Sequence, residues 1–278
     1  MIEITNASFR YLSSPSNILE NISLEITNGE FVGIIGPTGC GKSTLCYMLN
    51  GLIPHSIKGY FSGSVTVAGK EVMKESVEDM TPYVGYMLQE PSFQIATPNV
   101  ISEIAFGMEN LGVPQEDMKN RIEKVLNLLG ISYLRERATA SLSEGEKQRV
   151  ILASILAMES QILVLDECTS MLDLPAKQEL ATTLVKLNKQ EKKTILMIEH
   201  DLDFLLEIAD RIILINNGQI IADASAAKIL TDIDLLKQNN LEPPTIVSLF
   251  HEINNRSKND LTIPESYAQA TEELRRLL

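Results

Sequence analysis

Phe31-Val-Gly-Ile-Ile35-Gly36-Pro37-Thr38-Gly39-Cys40-Gly41-Lys42-Ser43-Thr44 reads as three consecutive pieces. Residues 31–35 form a short apolar run, as in a strand buried on both faces of a parallel sheet. Residues 36–44 match G-x-x-x-x-G-K-[ST], and helical sequence follows to about Asn50. Strand, glycine-rich loop and helix are the context in which this motif cradles phosphates. Glycine lets the backbone turn so that successive N–H groups converge on phosphate oxygens. The helix N-terminus adds partial positive charge. Gly36, Pro37, Thr38, Gly39, Cys40, Gly41, Lys42, Ser43 and Thr44 are therefore expected to hold a nucleotide. Lys42 would reach its β- and γ-phosphates, and the Ser43 hydroxyl would ligate Mg²⁺.

Two further apolar runs end in chemistry. Ile162-Leu-Val-Leu-Asp166-Glu167 closes a buried strand with two carboxylates. Beside a phosphate loop, Asp166 is expected to hold Mg²⁺ through water, and Glu167 to polarise the water that attacks the γ-phosphate. Thr194-Ile-Leu-Met-Ile-Glu199 leads into His200, whose neutral imidazole could bond the γ-phosphate and position that water. His55 and His251 have no such setting and read as ordinary surface or core histidines. Leu142-Ser143-Glu144-Gly145-Glu146-Lys147-Gln148-Arg149 opens a helical run. Ser143 three residues before Glu146 is a capping-box pattern, and the same hydroxyl and free N–H groups could face an anion.

The rest of the chain supports an α/β organisation. Residues 2–9 and 18–26 alternate apolar and polar, with a Ser/Pro/Asn loop between them at 13–17 and a turn at Asn28-Gly29. Residues 63–72 look like a hairpin arm turning at Ala68-Gly69-Lys70. Residues 100–153 read as helical, punctuated by Pro114 and Gly130. Residues 212–215 and 219–222 flank Asn216-Asn217-Gly218, a hairpin signature. Strands alternating with helices imply a parallel sheet with an antiparallel part near the N-terminus. Composition shifts near Asn239, and two amphipathic helices are expected near 245–253 and 265–278.

Bulk properties narrow the function classes. A net charge of −13 over 278 residues disfavours a non-specific nucleic-acid binder, so no nucleic-acid partner is expected. Cys40, Cys46 and Cys168 are too few for a disulfide framework and fit a reducing compartment. No cysteine or histidine has metal-ligand spacing. Apolar runs are too short to cross a bilayer, and the N-terminus lacks a signal-peptide pattern, so the expected location is cytoplasmic.

In this order the motifs resemble an ABC-type ATPase, the nucleotide-binding subunit of ABC transporters, over about residues 1–223. The resemblance implies that 36–44 is the P-loop, 142–146 the signature segment and 162–167 the Walker B strand. It makes 170–173 the D-loop and His200 the switch histidine. Gln89, in Val84-Gly-Tyr-Met-Leu-Gln89, falls at the Q-loop as a further metal and nucleotide contact, and Tyr11 at the position that stacks on adenine. The implied fold is an α/β P-loop NTPase of ABC-ATPase type. It has a mixed sheet core, an N-terminal antiparallel part, a helical subdomain at about 90–160 and a small C-terminal helical extension. The ATPase domain would span 1–238, with 239–278 serving subunit pairing.

Asn50-Gly-Leu-Ile-Pro-His-Ser-Ile-Lys-Gly59, Gln89-Glu-Pro-Ser-Phe-Gln94 and Glu103-Ile-Ala-Phe-Gly-Met-Glu-Asn-Leu-Gly-Val-Pro114 resemble energy-coupling-factor ATPases, which serve vitamin and cobalt or nickel importers. That implies a peripheral protein on the cytoplasmic face of the membrane, with ATP and Mg²⁺ as cofactors. Its expected partners are a second ATPase subunit, a transmembrane coupling subunit received around residues 89–113 and, indirectly, a membrane solute-binding component. In a head-to-tail dimer, Ser143 and Gly145 would act on the partner's ATP. A non-hydrolysing ATP-binding subunit and a soluble, non-transport ABC ATPase are the alternative readings.

Two departures stand out. The family usually reads Leu-Ser-Gly-Gly-Gln, whereas this chain has Leu142-Ser-Glu144-Gly-Glu146. Two carboxylates near a γ-phosphate would repel it unless they turn away, so the half-site they make is expected to be weak and the partner a stronger ATPase. Cys168 stands where the family usually has proline. Cys40, among convergent N–H groups beside Lys42, is expected to favour thiolate.

Overall fold

The computed structural model describes residues 1–257 and 261–277. In chain order the elements are β1 (Ile2–Tyr11), β2 (Leu19–Ile26), β3 (Phe31–Ile35), α1 (Lys42–Leu49), β4 (Gly59–Val67), β5 (Lys70–Glu71), α2 (Val77–Met80) and β6 (Val84–Met87). Then follow α3 (Val100–Asn110), α4 (Gln115–Leu128), α5 (Glu144–Ala157), β7 (Ile162–Asp166), α6 (Leu174–Lys189), β8 (Thr194–Ile198), α7 (Leu202–Ile208), β9 (Arg211–Asn216) and β10 (Gln219–Ser225). The chain closes with α8 (Ala226–Leu230), α9 (Ile233–Gln238), α10 (Thr245–Ser257) and α11 (Tyr267–Leu277).

Two sheets result. An antiparallel one has the order β2-β1-β4-β5, and a six-stranded one has the order β10-β9-β3-β8-β7-β6. In the larger sheet β9, β3, β8, β7 and β6 are parallel, and only β10 runs against its neighbour. Side chains alternate across β3, so its residues feed two different cores. Val32 and Ile34 pack with Ile2, Phe9 and Ile26 of the antiparallel sheet and Leu45 of α1. Phe31 and Ile35 face the helical side, with Val150 and Ile151 of α5 and Leu205 of α7. Such fully buried aliphatic side chains each stabilise the fold by about 2–5 kcal/mol against truncation to alanine.

The parallel arrangement positions the site. Ile34 of β3 and Asp166 of β7 both register with Ile198 of β8, and Met87 of β6 registers with Leu165 of β7. The loops after β3, β6, β7 and β8 therefore leave the same sheet edge, where ligands bind in open α/β sheets.

Most of the expected elements are present, and several readings need correction. β6 was not foreseen, because Val-Gly-Tyr-Met is four residues long and mixes a glycine into an otherwise buried strand. The segment expected to be helical from 100 to 153 is three helices, with only 3₁₀ turns between α4 and α5. β4 begins at Gly59, earlier than the expected arm at 63, because it pairs along the whole of β1. α8 and α9 were also unforeseen. The C-terminal helices α10 and α11 lie where amphipathic sequence was expected, with residue 278 outside the described residues. Ile246, Val247, Phe250 and Ala270 bury into the same core cluster as α7.

Candidate functional site

The glycine-rich loop leaves β3 and winds around the start of α1. Gly36 has φ 151°, and a Cβ there would meet the Ile215 carbonyl oxygen at 2.0 Å, so β9 admits only glycine. Gly41 is the N-cap of α1 in left-handed conformation, and no side chain caps that helix. Its first N–H groups remain available to an anion, unlike those of α6 and α7, which Asp173 and Asp201 cap. Lys42 Nζ donates to the carbonyls of Gly36 at 2.8 Å and Pro37 at 3.0 Å, which holds the ammonium against the loop.

A cleft of about 290 Å³ brings together Tyr11, Thr38, Gly39, Gly41, Lys42, Ser43, Thr44, Gln89, Glu167 and His200. Pro37 and Cys40 line an adjoining hollow with residues 216–218. Tyr11 hydrogen-bonds Thr44 Oγ1 through its hydroxyl at 2.8 Å, and its ring meets Phe9 edge-on at 5.0 Å. Both contacts fix the ring at the mouth of the cleft.

Glu167 is held from two sides. Gln89 Nε2 donates to Oε2 at 2.9 Å, and His200 Nε2 lies 3.0 Å from Oε1. Its backbone sits at φ 52°, a conformation that costs a non-glycine residue energy and clusters at functional sites. Asp166, one residue earlier, is 1% exposed. Burial pushes its carboxyl above the usual range, while the Ser43 and Tyr86 hydroxyls pull the other way. Tyr86 donates to Asp166 Oδ2 at 3.3 Å, whereas buried Oδ1 has no protein partner.

That orphaned oxygen decides whether the residues suit Mg²⁺. A buried carboxylate oxygen without a partner, on a residue beside the Ser43 hydroxyl, with the Gln89 amide lining the same cleft as Ser43, offers hard oxygen donors of the kind Mg²⁺ prefers. Among the described residues no cluster of three or more Asp, Glu, His or Cys forms a metal site by itself. The residues fit an ion that completes its shell with phosphate oxygens and water.

Ser143 and Gly145 stand apart from this cleft, at the start of α5. The capping box is formed: Ser143 Oγ accepts from Glu146 N at 3.3 Å, and Glu146 Oε2 accepts from Ser143 N at 2.8 Å. Glu144 is engaged as well, by Lys147 Nζ at 2.7 Å and Ser92 Oγ at 2.6 Å. Hydrogen bonds from Lys147 and from the Ser143 backbone hold Glu144 and Glu146 respectively below the usual carboxylate range.

Cys40 requires a correction. It is 6% exposed, and burial pushes its thiol up by more than the neighbouring Lys42 lowers it. The expected thiolate is therefore disfavoured. Cys168 is buried and its thiol is pushed well up by the same cause.

Four positions escaped the sequence reading. Gln94 braces the loop after β6 by donating to the Tyr86 carbonyl at 3.0 Å and accepting from Leu88 N at 2.7 Å. Glu103, 3% exposed, accepts from Ala96 N, Thr97 N and Thr97 Oγ1. Buried Glu199 accepts from Thr169 N at 3.1 Å and so ties the loop after β7 to the end of β8. Tyr86 contacts Asp166. A charged residue closing an apolar run was the only available signal, and only for Glu199.

Comparison with known proteins agrees with this geometry. A family profile described as "ABC transporter" matches residues 19–170. A putative ABC transporter ATP-binding protein of Pyrococcus abyssi is 41% identical over 99% of both chains. An energy-coupling factor transporter ATP-binding protein, EcfA1 of Oenococcus oeni, is 35% identical over 90% of this chain and 88% of its own. The solved structure of cbiO1 from Clostridium perfringens, described as part of the ABC transporter complex cbiONQ, superposes with a TM-score of 0.74. It is 27% identical and covers 90% of this chain and 98% of its own.

Proposed function

The chain belongs to the family of ABC transporter ATP-binding proteins, and from that premise we propose that it hydrolyses ATP to drive an energy-coupling-factor-type importer of a vitamin or transition-metal ion. The observation that carries the reading is the convergence of Lys42, Gln89, Glu167 and His200 on one cleft above an uncapped helix.

The α1 N-terminus and the loop N–H groups bind the phosphates, and Lys42 exchanges its loop carbonyls for the β- and γ-phosphate oxygens. Tyr11 stacks on the adenine. Ser43, Gln89 and, through water, Asp166 would hold Mg²⁺, which would supply positive charge to neutralise the phosphates. Glu167 accepts a hydrogen bond from the attacking water and polarises it, while His200 orients both the water and the γ-phosphate. Water and ATP give ADP and phosphate, with the water's proton released.

Two subunits pair head to tail, so that Ser143 and Gly145 complete the partner's ATP site. ATP binding closes the pair and hydrolysis reopens it. Residues 239–278 serve that pairing. Phe93 at 78% and Phe106 at 43% exposure, both within residues 89–113, support a groove there for a transmembrane coupling chain on the cytoplasmic face. No helix among the described residues is long and apolar enough to cross a membrane. The substituted signature segment favours a heterodimer in which this chain's own half-site is the weaker. Purification from membranes tests the assignment. A co-purifying ATPase and transmembrane chain support it, and recovery of this chain alone counts against it.

A further inference from the structure

α7 begins directly after His200, and it is tied at both ends of its first turn. Asp201 caps it by accepting from Phe204 N at 3.1 Å, and takes Lys177 Nζ of α6 at 2.6 Å. Asp203 faces the other way, toward the C-terminal helices. It accepts from Thr245 N at 2.9 and 3.0 Å on its two oxygens, from Thr245 Oγ1 at 2.9 Å and from the Tyr267 hydroxyl at 2.8 Å. Four residues on, Glu207 Oε1 accepts from Tyr267 N at 2.7 Å. Residues at i and i+4 share a helix face. One face of α7 therefore places a carboxylate at the start of α10 and another at the start of α11, where a helix N-terminus favours negative charge.

Packing reinforces the connection. Ile246, Val247 and Phe250 of α10 and Ala270 of α11 bury in the same cluster as Leu202, Leu205 and Leu206 of α7. Burial and the bond to Asp203 push the Tyr267 phenol up to about 12, so it stays a donor at neutral pH. These bonds and this packing join α7, which follows His200, to both C-terminal helices.

We propose that Asp203 is a positioning residue, through which the C-terminal helices set the place of His200 against Glu167. This rests on the ATPase reading above and adds to it a route by which subunit contacts made by residues 239–278 reach the hydrolysis site. Asp203 does not touch the substrate; it acts through the backbone of residues 200–203.

Tyr267→Phe is the cleanest variant, because it deletes one hydroxyl far in sequence from His200, and Asp203→Ala is the stronger one. The histidine ring signals of the full-length chain, ¹³C-labelled at Cε1, report on His55, His200 and His251. Both variants are expected to move the His200 signal, Asp203→Ala further, while His55 stays in place. ATP turnover by the complex should fall about three- to ten-fold in kcat for Asp203→Ala, with KM for ATP within about two-fold. An unmoved His200 signal in Tyr267→Phe, or a loss confined to KM, overturns the proposal. If the wild type hydrolyses ATP no faster than Glu167→Gln, the ATPase reading fails instead. The ring signals then still decide the coupling.

Discussion

His200 Nε2 lies 3.0 Å from Glu167 Oε1, so residues just beyond two neighbouring strands, β7 and β8, meet in the cleft of the phosphate loop. The contact follows from sheet register, because Asp166 pairs with Ile198 and each chain runs on into its own loop. Glu167 is 18% and His200 47% exposed on the side chain, which leaves room for a water beside both. Gln89 holds the other carboxylate oxygen, so the group is aimed before any water arrives. Preorganisation of this kind reduces the rearrangement needed at the moment of reaction.

The proposed adenine contact of Tyr11 makes a first prediction. Tyr11→Ala should weaken ATP binding by about 0.5–1.5 kcal/mol, or roughly two- to ten-fold in Kd, the range of an aromatic stack. Tyr11→Phe keeps the ring and loses only the bond to Thr44, so it should stay near wild type. Titration with a fluorescent ATP analogue checks both. Equal losses in the two variants would assign the residue to the Thr44 bond instead of to stacking.

The signature segment makes a second. Glu144 and Glu146 are occupied by donors within this chain, which in the proposed dimer would limit their repulsion of a partner's ATP without removing their charge. Glu144→Gly with Glu146→Gln should therefore raise ATPase and uptake by the complex. No gain in either would show that this half-site is not weakened.

Much of this architecture was legible because apolar runs report burial on both faces. β3, β7 and β8 are such runs, and each one leads into a loop that supplies residues of the cleft. β6 was too short and too mixed to show periodicity. Gln94 and Glu103 could not be seen, because their partners are backbone N–H groups that only the folded loop presents. The same holds for Asp203, whose partners lie 42 and 64 residues away. At Cys40 the spacing to Lys42 was legible and the burial was not, and burial has the larger effect on the thiol.

Cys40 should consequently react with iodoacetamide at neutral pH more slowly than a free model thiol, by about ten-fold or more, as expected for a buried and protonated cysteine. Cys46 and Cys168, both buried, should be slower still. Mass spectrometry of the labelled chain checks the order. Labelling of Cys40 faster than the model thiol would restore the thiolate reading.

Glu146 predicts a pH dependence. Its folded-state pKa lies below the usual glutamate value, first because of the Ser143 N–H bond. The charge therefore contributes stability that is fully present above the unfolded pKa and is lost as pH falls through the depressed folded value. Glu146→Gln can keep the capping bond without the charge. The Tm of the wild type should exceed that of Glu146→Gln near neutral pH, and the gap should close in acid. A gap that is constant with pH would assign the difference to packing.

ATP turnover by the membrane-purified complex, with and without Glu167→Gln in this chain, tests the central claim most directly. The variant should bind ATP as tightly as the wild type and lose about 10²-fold or more of the hydrolysis at this chain's own site, the scale of a positioned general base. Unchanged turnover in Glu167→Gln would contradict the account and make this chain an ATP-binding subunit that does not hydrolyse.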